Sequence, residues 1–275
     1  MNSIEVRNMN AKVGDFTLND INLSIPKGSI TGLIGKNGAG KTTLFKTLNG
    51  TYLKTSGDIL INGLNFSDSE KEIRNNLAIV YDVINYNPYA KVKLLKKIYK
   101  QNHPKFDSEY FDFLIDRFGI DVKKRLVNLS LGMQKKLMLI LALSVRPTIL
   151  LLDEPLIGID PIDKQDLIKL IQQYMEDENN TIILSSHQVE DIQKIADYVI
   201  FLNDGQIMLF EDKEILLDSF RIVYSSDIAE NSDLYINPVL DSMGISGLIR
   251  TENVSKINGI TQQASLEQIF IHLCK

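Results

Sequence analysis

The stretch that decides the fold is GKNGAGKTT, which runs from Gly35 to Thr43. It fits the phosphate-loop pattern of a glycine, four residues of any type, a second glycine, then Lys and Ser or Thr. An apolar run at 30–34 predicts a strand before it, and apolar residues at helical spacing follow it up to Gly50. The motif therefore stands between a strand and a helix, the context that it requires. The alternative is a plain glycine-rich turn.

The composition of this loop suits a bound triphosphate. Gly35, Gly38 and Gly40 tolerate backbone angles that point successive N–H groups inward, at the positive end of the following helix. Lys41 can reach the terminal phosphates as a point charge, and the hydroxyl of Thr42 can bind Mg²⁺ beside them. The residues expected to hold the nucleotide here are Gly35, Asn37, Gly38, Ala39, Gly40, Lys41, Thr42 and Thr43.

A second element, TILLLDEP at 148–155, is an apolar run that ends in two acids. Open α/β sheets bind ligands at the carboxyl ends of their strands, so we expect Asp153 and Glu154 to face the phosphate loop. Asp153 suits Mg²⁺, and Glu154 suits the orientation or deprotonation of an attacking water. The alternative is a strand that merely ends in two acids.

Composition excludes several classes of protein. The chain has 275 residues, of which 44% are hydrophobic and 24% charged, so a self-sufficient globular core is expected. Thirty Lys and Arg against thirty-five Asp and Glu give a net charge of −5, which argues against a general nucleic-acid binder. The single Cys274 cannot form an intrachain disulfide, and we expect a buried thiol. The beginning of the chain does not resemble a signal peptide, and the most apolar window, 137–152, is interrupted by polar residues.

Strand-like and helical patterns alternate along the chain and predict a parallel α/β sheet. Short strands are predicted before residue 34, and the run Ile59–Ile61 with the turn Asn62–Gly63 behind it predicts a hairpin edge. Helical spacing rich in Lys indicates a helical insert at about 84–145. We therefore expect one catalytic domain at 1–219 and a small accessory region at 220–275 with weaker periodicity.

Five motifs in their order along the chain resemble those of ATP-binding cassette ATPases. They are the phosphate loop, LSLGMQ at Leu129–Gln134, DEP at Asp153–Pro155, GID at Gly158–Asp160 and SSH at Ser185–His187. The resemblance covers about residues 3–215. It implies an α/β fold of the P-loop NTPase type, with a mostly parallel sheet, an N-terminal antiparallel β subdomain and a helical insert. It also implies hydrolysis of ATP with Mg²⁺.

The resemblance further implies two cassettes that meet head to tail, each capping the ATP of the other. On that likeness Asp160 lies at the dimer seam and His187 near the γ-phosphate. The Gln that usually follows the strand at 77–81 is replaced by Asp82, a candidate metal ligand, and Val13 or Phe16 stands where an aromatic residue usually stacks on adenine. The residues implied to contact the partner's nucleotide are Ser130, Gly132 and Gln134.

Because no spanning helix is predicted, the likeness implies a separate membrane permease as partner, beside a second copy or paralogue of this chain, at the cytoplasmic face of the membrane. The segment Tyr81–Lys100, with Tyr86 and Tyr89, is the candidate coupling surface; its alternative is a solvated helix face. The LSLGMQ variant and the ending SLEQIFIHL resemble those of bacterial peptide exporters. Two other readings are a soluble cassette ATPase acting on ribosomes or DNA, and a GTPase or small-molecule kinase with the same loop.

Overall fold

A six-stranded sheet forms the centre of the molecule in a computed structural model that describes residues 1–225, 232–241, 244–257 and 259–274. Its first five strands are parallel, and the last pairs with its neighbour as an antiparallel hairpin. In spatial order the strands are β5 (Leu77–Val80), β6 (Ile149–Asp153), β7 (Thr181–Ser186), β3 (Ile30–Ile34), β8 (Tyr198–Asn203) and β9 (Gln206–Asp212).

The central strands are apolar throughout because helices or a second sheet cover both of their faces. Every residue of β6 is buried, and alternate residues enter different cores: Ile149 and Leu151 face one, Leu150 and Leu152 the other. The carboxyl end of β6 therefore carries Asp153 to the edge of the sheet.

A three-stranded antiparallel sheet covers one face of the central sheet, as the resemblance implied. Its strands, in spatial order, are β2 (Phe16–Pro26), β1 (Asn2–Val13) and β4 (Ser56–Ile61). The predicted hairpin edge is wrong: β4 pairs with β1, and the Asn62–Gly63 turn leads into a helix. The reason is that Leu64 closes the turn by a single bridge to Ile61, after which Asn65 caps the helix by accepting a hydrogen bond from the backbone N–H of Asp68.

Helices pack around both cores and form the insert. The helix that follows the phosphate loop lies between the two sheets, and those of the insert cover the opposite face of the central sheet together with the helices after β6 and β7. The helices of the cassette are α1 (Lys41–Leu48), α2 (Phe66–Asn76), α3 (Val92–Asn102), α4 (Ser108–Arg117), α5 (Leu131–Ser144), α6 (Pro161–Tyr174), α7 (Val189–Ile195) and α8 (Lys213–Ser219). In the described ranges no helix is long and apolar enough to span a membrane.

A second antiparallel sheet follows α8. In spatial order its strands are β11 (Ile236–Asp241), β12 (Gly244–Arg250), β10 (Phe220–Ser225) and β13 (Ile260–Gln263), and the helix α9 (Leu266–Leu273) packs against it. The rings of Phe270 on α9 and Phe201 on β8 meet edge to face with centroids 5.2 Å apart, so this region shares a core with the cassette. Cys274 is buried, as expected, and burial raises the pKa of its thiol to about 11.

Candidate active site

The phosphate loop connects β3 to α1 and depends on glycine at two crowded positions. Gly40 has φ +107°, and a Cβ there would lie 2.6 Å from the ring of Phe16. A Cβ on Gly35 would lie 2.7 Å from the backbone carbonyl of Leu202 on β8. Glycine therefore allows the loop to turn tightly against its neighbours, so that its backbone N–H groups can bind an anion at the N-terminus of α1.

An open pocket of about 430 Å³ lies over this loop. It joins segments that are far apart in sequence: the phosphate loop, the end of β6, the loop after β5 and the beginning of β2. Lys36 was not predicted, whereas the predicted Gly35, Val13 and buried Ala39 are not among the residues that line it. The lining residues are Phe16, Lys36, Asn37, Gly38, Gly40, Lys41, Thr42, Thr43, Asp82, Asp153 and Glu154.

Thr42 and Asp153 converge as the two sequence motifs predict. Thr42 Oγ1 donates to Asp153 Oδ2 at 2.6 Å, and Ser185 Oγ on β7 donates to Asp153 Oδ1 at 2.7 Å. Hydroxyl and carboxylate oxygens are the donors that Mg²⁺ prefers, so these residues fit that ion. Within the described part of the chain no three His, Cys, Asp or Glu side chains cluster as a metal cage. Mg²⁺ bound here would complete its coordination with phosphate oxygens and water.

Glu154 follows Asp153 and has φ +48°, a conformation that non-glycine residues seldom adopt. Contacts at every polar group hold it there. Its backbone N–H donates to Ser185 Oγ at 3.0 Å, and its Oε1 lies 3.2 Å from Lys41 Nζ. Its Oε2 accepts from the backbone N–H of His187 at 3.3 Å and lies 3.0 Å from the His187 Nδ1. The structure thus brings together Lys41, Glu154 and His187.

Lys135 on α5 is a residue that sequence reasoning missed. Its buried Nζ donates to Asp82 Oδ1 at 3.1 Å and to the backbone carbonyl of Glu154 at 2.8 Å. Asp82 therefore lines the pocket and at the same time forms an ion pair with Lys135. No local pattern indicates this contact, because 53 residues separate Lys135 from Asp82.

LSLGMQ begins helix α5 but lies outside the pocket of its own chain. Ser130 caps the helix by accepting from the Met133 backbone N–H at 3.1 Å, and Gln134 Nε2 donates to the Leu129 carbonyl at 3.0 Å. A Cβ on Gly132 would overlap the Asp163 carboxylate, so a larger residue there would force the Asp163 side chain to move. Of the residues that the structure describes as lining the pocket, none belongs to this motif.

Lys136 joins α5 to α6, and Asp160 caps the beginning of α6. The backbone N–H groups of Asp163 and Ile162 that donate to Asp160 lower the pKa of its carboxyl. Lys136 Nζ lies 2.5 Å from Asp163 and 2.6 Å from Asp166. Burial lowers the pKa of Lys136, but hydrogen bonds and attraction from the two carboxylates outweigh it, so the net shift is upward. The beginnings of the two helices are therefore held together.

A phosphate loop, a hydroxyl and a carboxylate that fit Mg²⁺, and an oriented second carboxylate together define a nucleoside triphosphate hydrolase.

Residues 18–157 match the family described as ABC transporter. The chain is 31% identical over 246 residues to the ABC transporter ATP-binding protein YtrB of Bacillus subtilis (strain 168), covering 88% of this chain and 84% of that protein. It is 34% identical over 212 residues to the lantibiotic transport ATP-binding protein SrtF of Streptococcus pyogenes, covering 75% of this chain and 89% of that protein.

Among solved structures it is similar to cbiO1 from Clostridium perfringens, part of the ABC transporter complex cbiONQ. The TM-score is 0.63 at 28% identity, over 78% of this chain and 90% of that chain. The chain belongs to the ABC transporter family and is an ATP-hydrolysing transport subunit. These relatives favour a transport ATPase over one that acts on ribosomes.

Proposed function

We propose that this chain works as a head-to-tail dimer, with a second copy or a paralogue, and powers a separate membrane permease that exports peptides or other amphipathic compounds. The observation that carries the dimer is the position of Ser130, Gly132 and Gln134 outside the pocket lining. They can contact a nucleotide only if another chain supplies it. The exposed apolar side chains of Leu131 and Ile162, at the beginnings of α5 and α6, suit a surface that a partner covers.

In the proposed site each side chain has a separate task. Lys41 and the loop amides bind the phosphates, and Thr42 and Asp153 would hold Mg²⁺, with Asp82 a further candidate ligand. Mg²⁺ supplies charge neutralisation at the phosphate oxygens. Glu154 orients the attacking water and accepts its proton, and His187 holds the Glu154 carboxylate in position beside the γ-phosphate. Phe16, rather than Val13, offers the ring that would contact the base.

The permease contact is proposed for the surface formed by Tyr81–Lys100. A groove of about 240 Å³ opens there between the loop after β5 and helix α3. Tyr86 and Tyr99 meet in it with hydroxyl oxygens 2.8 Å apart. Burial raises the pKa of Tyr99, so its hydroxyl stays neutral. The apolar side chain of Leu94 on α3 is exposed, and such a groove suits a short amphipathic helix of a permease loop.

The direction of transport and the class of cargo rest on similarity. SrtF is described as a lantibiotic transport protein, and lantibiotic names a peptide cargo for that relative. We propose the same cargo class here, with specificity in the permease. Residues 1–219 would form the ATPase domain and residues 220–275 an accessory region. The subunit would lie at the cytoplasmic face of the membrane through its permease, with no nucleic-acid partner.

The test is purification of the tagged protein from membranes of its native cell in mild detergent, with mass spectrometry of what co-purifies. A multi-span membrane protein in near-equal amount is the expected result. Leu94→Asp should lose that partner and keep ATP hydrolysis, whereas Phe113→Asp, at another exposed apolar position, on α4, should keep both. Recovery of ribosomal or other soluble partners alone would overturn the proposal. Recovery of the membrane protein with Leu94→Asp would show that this surface is not the permease contact.

A further inference from the structure

Lys135 is a buried cation with two partners on different elements of the active site. Its side chain is only 7% exposed. Its Nζ lies 3.1 Å from the carboxylate of Asp82, in the loop after β5, and 2.8 Å from the backbone oxygen of Glu154, after β6. A buried lysine without such partners would be strongly destabilising, so its position depends on them.

The contact with the carbonyl bears on Glu154, whose left-handed backbone conformation is unfavourable for a residue other than glycine. Its carbonyl oxygen also accepts from the backbone N–H of Ile157, but at 3.4 Å, so Lys135 supplies the shorter and charged hydrogen bond. The backbone conformation of Glu154, directly after β6, sets the direction in which its side chain points. Lys135 therefore acts on the carboxylate through the main chain.

The contact with Asp82 balances charge at the pocket. Asp82, Asp153 and Glu154 place three carboxylates in the lining, where Lys41 already pairs with Glu154. Lys135 compensates Asp82, whose side chain is 44% exposed and faces the volume that a triphosphate would enter. Without this cation an uncompensated carboxylate would face the phosphates and repel them.

We propose that Lys135 is a positioning residue for ATP hydrolysis, which holds the backbone of Glu154 in its catalytic conformation while it neutralises Asp82. The inference rests on the role proposed above for Glu154. Because Lys135 lies on α5, five residues after Ser130, it joins the helix that meets the partner's nucleotide to the carboxylate that acts on the chain's own nucleotide. It gives α5 a direct contact with the catalytic residue.

Lys136 provides the matched control. It is the next residue of α5, its side chain is 8% exposed, and it pairs with Asp163 and Asp166 on α6, away from the pocket lining. Lys135→Met and Lys136→Met each remove one buried cation from the same helix. A merely structural role for Lys135 predicts that both variants lose stability and behave alike in turnover.

The experiment measures kcat, KM and calorimetric ATP affinity for Lys135→Met, Lys135→Arg, Lys136→Met, Asp82→Asn/Lys135→Met and Glu154→Gln in the full chain. Lys135→Met should lose about 10- to 100-fold in kcat, the scale of a misplaced catalytic group. It should also raise KM, since Asp82 is then uncompensated. Lys135→Arg should restore most of the kcat, and Lys136→Met should keep it.

The double variant separates the two functions of Lys135. Asp82→Asn alone, measured in the same way, shows the effect of losing this candidate metal ligand. Relative to Asp82→Asn, the double variant should keep the same KM, because the unpaired carboxylate is absent from both, and should have a lower kcat, because only there does the Glu154 carbonyl lack its partner. A double variant with the kcat of Asp82→Asn, a normal kcat in Lys135→Met, or an equal loss in Lys136→Met would each overturn the inference. Normal turnover in Glu154→Gln would instead overturn the role proposed for Glu154.

Discussion

Lys41 Nζ lies 3.2 Å from Glu154 Oε1, and both side chains are almost fully buried. The cation expected to bind phosphate and the carboxylate expected to act on water therefore compensate each other's charge. In the proposed mechanism a triphosphate bound at Lys41 would replace one anionic partner of that lysine by another. The same exchange would free Glu154 to contact water, so this ion pair would link nucleotide binding to the preparation of the base.

Glu154→Gln should retain ATP binding and lose about 10²-fold or more of turnover, because the amide cannot accept the proton from water. Because Lys41 no longer pairs with a carboxylate in this variant, its affinity for ATP should be equal or higher. The variant should accumulate as an ATP-bound dimer. Steady-state hydrolysis and size-exclusion chromatography with ATP are the measurements. Glu190→Gln, at an exposed position on α7, is the control. Near-normal turnover would remove Glu154 from catalysis.

Lys41→Ala should weaken ATP binding by about 2 kcal/mol or more, since it deletes a buried charged partner of the phosphates. Isothermal titration calorimetry measures the change directly. Lys46→Ala is a suitable comparison, because Lys46 lies on the same helix but contacts Tyr52 rather than the pocket. Unchanged affinity in the Lys41 variant would contradict the proposed binding mode.

Phe16→Ala should weaken ATP binding by about 0.5–1.5 kcal/mol through the loss of an aromatic contact. Val13→Ala should leave the affinity unchanged, because Val13 pairs with Phe16 across the β1–β2 turn without lining the pocket. Titrations with ATP and GTP on both variants would measure how far the ring discriminates between bases. The reverse pattern would assign the base contact to Val13.

Asp107→Ala should destabilise the protein by about 1 kcal/mol at neutral pH, since Asp107 caps helix α4. The Tyr110 backbone N–H and the Arg146 guanidinium lower the pKa of Asp107 below its ordinary value of 3.8. Its stabilising contribution is therefore complete above that value and is lost as the pH falls through the lower, folded-state pKa.

Urea unfolding of this variant and the parent protein at neutral pH and at about pH 3 measures that loss. The difference in stability should shrink in acid. Asp112→Ala, which removes an exposed pair with Lys96, serves as the control. An equal difference at both pH values would show that the ionised carboxylate contributes nothing.

The strands of the central sheet were predictable because their burial on both faces leaves unbroken apolar runs, as in β6. Helix α2 was missed because Ile73 is its one fully buried residue and Ser69 breaks its helical angles, so no periodicity is visible. The length of β1 was underestimated for a related reason. Its bulge near Asn8, which has φ +46°, interrupts the alternation that indicates a strand.

The phosphate loop and the acids after β6 could be located in advance because each is a local pattern whose chemistry is complete within a few residues. Lys135 and Ser185 could not, since their roles arise only when the chain folds. Ser185 meets Asp153 across 32 residues, and Lys135 meets Glu154 across 19. The SSH motif was given a role only for its histidine, His187. In the structure its first serine, Ser185, donates to Asp153 and accepts from the backbone N–H of Glu154.

Helix α9 rests on α7, the helix that begins two residues after His187, and its Phe270 closes the core beside Phe201. A chain cut after residue 219 would expose this apolar surface to water and remove the helix that packs against α7, which follows His187. A tag, fusion or proteolytic nick near the last helix would therefore disturb the packing of α7, close to the proposed position of His187 in the site. Measurements of ATP hydrolysis by this subunit should therefore use a chain in which helix α9 is intact.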